Sequence, residues 1–280
     1  MHKLVDVPGL RSLIAGWRAQ GERIAFVPTM GNLHEGHLQL VRRARQAADR
    51  VVVSIFVNPM QFAPGEDFET YPRTLDSDTR LLSAEQTDAL FAPEVSVIYP
   101  GGAEATTRVE VPGPGRGLED DSRPGFFIGV ATVVARLFNL VQPDYALFGE
   151  KDYQQLAVIR AMVVDLCWPI EIIGVPTMRE ADGLAMSSRN QYLTVEERQR
   201  APLLYQTLTR VAEQIVAGSP HYGALEDEAM KVLADGGFEP DYVCIRHAES
   251  LLPVAEGESR CVVLAAARLG RARLIDNIVL

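Results

Sequence analysis

Two histidines three positions apart, His34 and His37, lie in the run Pro28-Thr29-Met30-Gly31-Asn32-Leu33-His34-Glu35-Gly36-His37. An apolar segment at residues 23–27 precedes the run and a helical pattern at residues 38–49 follows it, so it reads as a strand-to-helix turn. At the carboxyl edge of a parallel sheet, such a turn is where open α/β folds hold ligands. Free backbone N–H groups at a helix start favour phosphate, and Gly31 and Gly36 permit close approach. The imidazoles can donate to phosphate oxygens as charge builds on them. A zinc site of the His-Glu-x-x-His kind needs a four-residue spacing that the second histidine misses by one. The chain has only five histidines, and two in one Gly-rich turn are hard to assign to core packing.

Three further segments carry suitable groups. Gly149-Glu150-Lys151-Asp152 also falls between an expected strand and an expected helix, and Lys151 is one of only three lysines beside 24 arginines. A compact ammonium there suits a point-charge contact with phosphate. In Met186-Ser187-Ser188-Arg189, two hydroxyls and a guanidinium in a short polar loop can close over a polyphosphate. In Asn58-Pro59-Met60-Gln61, at the end of an apolar strand, Asn58 and Gln61 bring amide groups suited to a hydroxylated carboxylate. Gly113-Pro114-Gly115-Arg116-Gly117 has the wrong spacing and context for a dinucleotide fingerprint.

These segments need a scaffold. Residues 1–177 alternate apolar runs (23–27, 51–57, 88–92, 145–148 and 170–175) with helical patterns (38–49, 127–141 and 153–167). That alternation predicts an α/β, Rossmann-like parallel-sheet domain. Residues 101–129, rich in Gly and Pro, read as a loop excursion. Residues 178–280 read as a smaller α+β lid domain. There, a capping box at Thr194–Glu197 opens one helix running to Gly218, a second helix spans 225–234, and strands cover 242–246, 261–266 and 274–280. The 280 residues carry 27 basic and 37 acidic side chains, a net charge of −10, which argues against nucleic-acid binding. No segment suggests a signal peptide or a membrane span, so a cytoplasmic location is expected. Cys167, Cys244 and Cys261 lie in apolar stretches and read as buried thiols in a reducing compartment. Asp76 and Asp78 read as solvated acids at a helix start.

Together the four segments resemble the pantoate–β-alanine ligase family. His34-x-Gly36-His37 is similar to the HIGH-type signature of the nucleotidylyltransferase superfamily, and Met186–Arg189 to its KMSKS-type loop. The resemblance is strong from about residue 27 to residue 193 and continues in general pattern through Leu274-Ile275-Asp276-Asn277. It implies ATP-dependent condensation of pantoate with β-alanine through pantoyl adenylate, by a cytoplasmic, Mg²⁺-dependent homodimer. Under it, Met30, Gly31, Asn32, Leu33, His34, Glu35, Gly36 and His37 hold ATP, with His37 as proton donor and His34 as its phosphate partner. Gly149, Glu150, Lys151 and Asp152 contact ribose and phosphates, with Lys151 on the phosphates. Met178 touches adenine through its backbone, and Met186, Ser187, Ser188 and Arg189 close over the triphosphate. Gln61 and Gln155 bind pantoate, with Asn58 and Pro28 beside them. No Mg²⁺ ligand is assigned. The chain departs from the family's usual His and Arg at Phe126 and Ile128, which is expected to alter substrate affinity or turnover and leave adenylation intact. A nucleotidylyltransferase acting on a phosphorylated acceptor, or a nucleotide-binding regulator without catalysis, shares the HxGH turn.

Overall fold

The near-continuous apolar run Val51-Val52-Val53 forms the middle of a strand covered on both faces, as an internal strand of a parallel sheet requires. The computed structural model describes residues 1–63, 65, 66, 68–218, 221–254 and 260–280. The described elements are β1 (His2–Leu4), α1 (Val7–Ala19), β2 (Ile24–Thr29), α2 (Glu35–Ala47), β3 (Arg50–Ile55), α3 (Leu75–Ala84), β4 (Ala89–Phe91), α4 (Val95–Ile98), α5 (Glu119–Ser122), α6 (Phe126–Val141), β5 (Tyr145–Gly149), α7 (Tyr153–Asp165), β6 (Glu171–Val175), α8 (Val195–Arg200), α9 (Leu203–Val216), α10 (Tyr222–Asp235), β7 (Glu239–His247), β8 (Cys261–Leu269) and β9 (Ala272–Val279). The chain divides into two compact units. One comprises Met1–Glu150 and Val158–Pro176, the other Lys151–Ala157 and Thr177–Leu280, so the division falls inside α7.

In the first unit six parallel strands run in the order β1-β4-β3-β2-β5-β6. Strands β2, β3 and β4 step outward in one direction, and β5 and β6 fill the other side. The strand order therefore reverses between β2 and β5, the topological switch point at which open sheets bind ligands. Ala25, Val27, Val51, Val53, Leu90 and Leu147 line one face beneath Leu40, Val41 and Ala44 of α2. On α6, Phe138 meets the rings of Phe26, Phe148 and Trp168 edge-on, with centroids 5.8–6.4 Å apart. These two layers hold the carboxyl ends of β2, β3 and β5 in fixed register.

Sequence reading missed the opening pair β1 and α1, although α1 carries its own signals. Asp6 accepts from the Gly9 N–H at 2.7 Å as N-cap, a proline sits in the first turn, and Leu10, Ile14 and Trp17 are buried at helical spacing. In the second unit the antiparallel sheet β7-β8-β9 packs under α9 and α10. The capping box at Thr194 and Glu197 is present, but the single expected helix is two. Pro202 has no N–H to continue the ladder, so α8 ends and α9 begins there. The cysteine expectation also needs correction: Cys261 is buried, Cys244 half-buried, and Cys167 exposed. Cys167 adopts a left-handed φ of 53° just past the end of α7, where the chain turns outward. Among the described residues no helix is long and apolar enough to cross a membrane.

Candidate active site

The chain leaves β2 at Thr29 and passes through two consecutive left-handed residues, Gly31 (φ 81°) and Asn32 (φ 51°). Gly31 is required: a Cβ there would stand 3.0 Å from Ile55 Cγ2 and 3.1 Å from Asp78 Oδ2. This tight turn is tied down from several sides. Thr29 Oγ1 accepts from the Gly31 N–H while donating to the Ser54 carbonyl. The Asp78 carboxylate accepts from the N–H groups of Asn32 and Leu33, both at 2.9 Å, and from the Thr74 hydroxyl at 3.1 Å. Asp78 is 1% exposed, so the expectation of a solvated acid is wrong for it, whereas Asp76 is exposed. It sits inside because the turn offers it two convergent N–H donors, the condition for burying a charge.

His34 and His37 form a reciprocal cap at the start of α2. Nδ1 of His34 accepts from the Gly36 N–H at 3.2 Å, and Nδ1 of His37 accepts from the His34 N–H at 3.3 Å. A neutral imidazole that accepts at Nδ1 carries its proton on Nε2, so both rings are set as Nε2–H donors. The rings lie together, with centroids 4.1 Å apart. One expectation is corrected here. The N–H groups of Gly31, Asn32, Leu33, His34, Gly36 and His37 all have acceptors within the protein, so the turn does not present them to an anion. Glu35 pairs with Arg42, which also grips Glu85 just past the end of α3 and is held above its ordinary pKa by the two carboxylates.

After β3 the 3₁₀ turn Pro59–Gln61 carries the second cluster. Asn58 is 1% exposed, and its amide is satisfied inside the protein. Its Oδ1 accepts from the Met60 N–H at 3.3 Å and from the Tyr99 hydroxyl at 2.8 Å, and its Nδ2 donates to Gln61 Oε1 and the Gly129 carbonyl. Burial pushes the Tyr99 phenol above its ordinary pKa, which keeps it a donor. Asn58 therefore faces inward, against the expectation of a substrate contact, and it holds Gln61 Oε1. Helix α6 lies directly on this turn, since a Cβ on Gly129 would be 2.1 Å from the Met60 carbonyl oxygen. Arg123 completes the support by bonding the Gln61 carbonyl at 2.9 Å and both oxygens of Glu66 at 2.7 and 2.8 Å. Its guanidinium is stacked 3.9 Å over the Phe126 ring.

The remaining predicted residues fall into the two units. Gly149 ends β5, and the Glu150 N–H bonds the Val175 carbonyl, placing both at the carboxyl edge of the sheet in the first unit with Pro28. Lys151, Asp152, Gln155, Met178, Met186, Ser187, Ser188 and Arg189 belong to the second. The Lys151 ammonium is 4.0 Å from Asp152, and the Lys151 carbonyl accepts from Asn277 Nδ2 at 3.0 Å. Met178 and Met186 face each other across a hairpin closed by the Met186 N–H on the Met178 carbonyl. The hairpin leads into a 3₁₀ turn at Ser188–Tyr192, where Ser187 accepts from the Arg189 N–H. Among the described residues no group of three or more His, Cys, Asp or Glu side chains converges as a metal cage.

The family model for pantoate–β-alanine ligase matches residues 3–279. The chain belongs to the pantoate–β-alanine ligase family. It is 56% identical over 277 residues to the pantothenate synthetase of Photobacterium profundum, covering 99% of this chain and 94% of that one. The crystal structure of the Thermus thermophilus pantothenate synthetase superposes with a TM-score of 0.92 at 49% identity, covering 99% of both chains. The Francisella tularensis pantoate–β-alanine ligase, solved in complex with β,γ-ATP and β-alanine, gives a TM-score of 0.81 at 33% identity, with 100% of this chain and 97% of that one covered. Asp78, Gly129 and Arg123 were missed as supports of the site. Their signal, a side chain or bare Cα meeting a distant backbone, has no local period in sequence.

Proposed function

We propose that this protein joins pantoate to β-alanine in two steps at the expense of ATP, with the two-histidine turn of α2 and Lys151 on the phosphate side. The observation that carries the reading is the family match across nearly the whole chain. In the first step a pantoate carboxylate oxygen attacks the α-phosphorus of ATP, the bond from that phosphorus to the bridging oxygen breaks, and pyrophosphate leaves. Two anions must approach, so donors and cations have to take up charge growing toward the bridging oxygen. The Nε2–H groups of His34 and His37 suit that task, with His37 as proton donor, and Lys151 and Arg189 add charge. Met30 to His37 hold the nucleotide mainly by side chains and shape. Gly149 to Asp152 serve ribose and phosphates, the Met178 backbone serves adenine, and Met186 to Arg189 close over the triphosphate. Mg²⁺ bound with ATP supplies further charge neutralisation of the phosphates.

In the second step the neutral amine of β-alanine attacks the acyl carbon. The carbon–oxygen bond to AMP breaks, the amine proton is lost, and pantothenate and AMP depart. Gln61, Gln155 and Pro28 serve pantoate, as the resemblance implies. Holding amine and acyl group together supplies much of the rate, and closure of the Met186–Arg189 loop keeps water from the adenylate. The reading extends to a homodimer working in the cytoplasm, as the resemblance implies. The test is ATP–pyrophosphate exchange that requires pantoate, with AMP released only when β-alanine is also present. Exchange driven instead by a phosphorylated acceptor would refute it in favour of a nucleotidylyltransferase.

A further inference from the structure

We infer that Asp276 and Asn277, neighbours on β9, are a single seat that positions both phosphate-side segments of the second unit, the Lys151 loop and the hairpin leading into Met186–Arg189. The inference rests on the assignment of those segments to ATP. Lys151 stands in the loop just before α7, where no helix or strand ladder holds its backbone. Its carbonyl is held by Asn277 Nδ2 at 3.0 Å. The donor is itself fixed: Asn277 is 6% exposed and paired opposite Leu264 in the β8–β9 ladder. One residue earlier, Asp276 is 3% exposed and accepts from both terminal guanidinium nitrogens of Arg179, at 2.6 and 2.9 Å. This fork-on-fork pairing fixes direction as well as distance.

Arg179 lies inside the hairpin between Met178 and Met186. It bridges Ala185, donates to the Gly183 carbonyl at 3.1 Å, and stacks 3.8 Å over the Tyr205 ring. The hairpin turn is gripped at its tip as well, since a Cβ on Gly183 (φ 93°) would be 2.6 Å from Tyr205. Neither Asp276 nor Asn277 is assigned a nucleotide contact; each acts through another residue. Asn277 works through the Lys151 backbone, and Asp276 works through Arg179 on the segment that ends in Ser187, Ser188 and Arg189. Two loops far apart in sequence thereby share one rigid support, and the spacing between the ammonium and the serine-arginine turn becomes a property of β9.

A double-mutant cycle on Asn277→Ala and Lys151→Ala, read by pantoate-dependent ATP–pyrophosphate exchange with KM for ATP and kcat separated, tests this. One hydrogen bond lost at Asn277 is expected to lower kcat/KM for ATP by about three- to tenfold. The same change in the Lys151→Ala background is expected to add nothing, because the ammonium it positions is gone. Asn277→Asp keeps the shape but sets an acceptor against the carbonyl, so it should fall at least as far; thermal unfolding confirms that each variant is folded. Arg179→Met, acting through the other segment, should lower exchange in both backgrounds. Wild-type exchange in Asn277→Ala and Asn277→Asp overturns the inference, as does an Asn277→Ala loss that is equal in both backgrounds. Lys151→Ala with unimpaired exchange, or an unaltered protein without pantoate-dependent exchange, instead overturns the ATP assignment, and the inference with it.

Discussion

Gly129→Ala adds one methyl group where α6 presses on the turn that carries Gln61. The new Cβ would stand 2.1 Å from the Met60 carbonyl oxygen, 2.6 Å from its carbon and 3.2 Å from the Gln61 nitrogen. To reach even 3.0 Å, the carbonyl must retreat by 0.9 Å, and being backbone it cannot rotate away. Two effects on stability oppose each other. Alanine is the better helix former by about 1 kcal/mol, and overpacking costs about 1–3 kcal/mol. The net loss is therefore at most about 2 kcal/mol, and the protein should stay folded. Activity has no such compensation. A displacement near 1 Å of a substrate-positioning group costs about 100-fold, so kcat/KM for pantoate should drop by that order in a steady-state assay of AMP release. KM for ATP should hold, since the His34–His37 turn rests on Asp78 and not on α6. Trimming Met60 to Ala should bring no rescue, because the collision is with main chain. A folded Gly129→Ala variant within threefold of wild type for pantoate, or one rescued by Met60→Ala, would refute the reasoning.

Three further outcomes are expected. Asp78→Ala strips the acceptor from two half-buried N–H groups, at about 1.5–3 kcal/mol for each charge-assisted bond; urea unfolding should show a loss of about 3 kcal/mol. Asp78→Asn keeps one acceptor oxygen and should fall between that variant and wild type, with KM for ATP raised in both; a lowered KM in either would count against the turn-holding role. Phe126→Leu removes the ring under Arg123, a contact of about 0.5–1 kcal/mol at a partly exposed site, and should lower kcat/KM for pantoate by two- to fivefold; no change would mean Glu66 alone aligns Arg123. Iodoacetamide should modify exposed Cys167 first and half-buried Cys244 more slowly, as mass spectrometry of timed samples would show. Burial pushes the Cys244 thiol up from its ordinary 9.0, so the folded chain holds that proton more tightly, and stability should decline as pH rises from about 9.

The sheet strands other than β1, the HxGH turn and the Lys151 loop were legible because each has a local signature: β-branched runs, a Gly-rich strand-to-helix turn, a lone lysine after a strand. The break between α8 and α9 was equally local, written in Pro202, but the capping box ahead of it drew the helix on too far. What sequence could not yield was the use of the groups. Free N–H donors are the default expectation at a helix start, yet His34 itself occupies those of Gly36 and His37, and Asp78, more than 40 positions away, takes the two N–H groups of the turn ahead of it. Asn58 has a carboxamide that suits a hydroxy acid, and only the neighbouring Tyr99, Gln61 and Gly129 reveal that it faces inward. Residue type tells what a side chain is able to do. Which partner claims it depends on the tertiary fold.

A common logic runs through the supports. Asp78 holds the histidine turn, Asn58 and Arg123 hold the Gln61 turn, and Asn277 holds Lys151, each by bonding a side chain to main chain within its own unit. Turns that carry reactive side chains lack a ladder of their own, so their backbone groups must be satisfied from elsewhere or stay mobile. Satisfying them with side chains rigidifies the turn, the pre-organisation that an accurately placed side chain demands. It also explains how an acidic residue can sit behind a turn proposed to face a triphosphate. Charge alone would make Asp78 a liability, and removing it would tighten ATP. Its two oxygens, however, are directed into the Asn32 and Leu33 N–H dipoles, and those bonds set the loop from which His34 and His37 start. The geometric term acts through two bonds of 2.9 Å to a buried carboxylate, whereas the repulsion acts at longer range. Geometry should therefore win, which is why neutralising Asp78 is expected to weaken nucleotide binding.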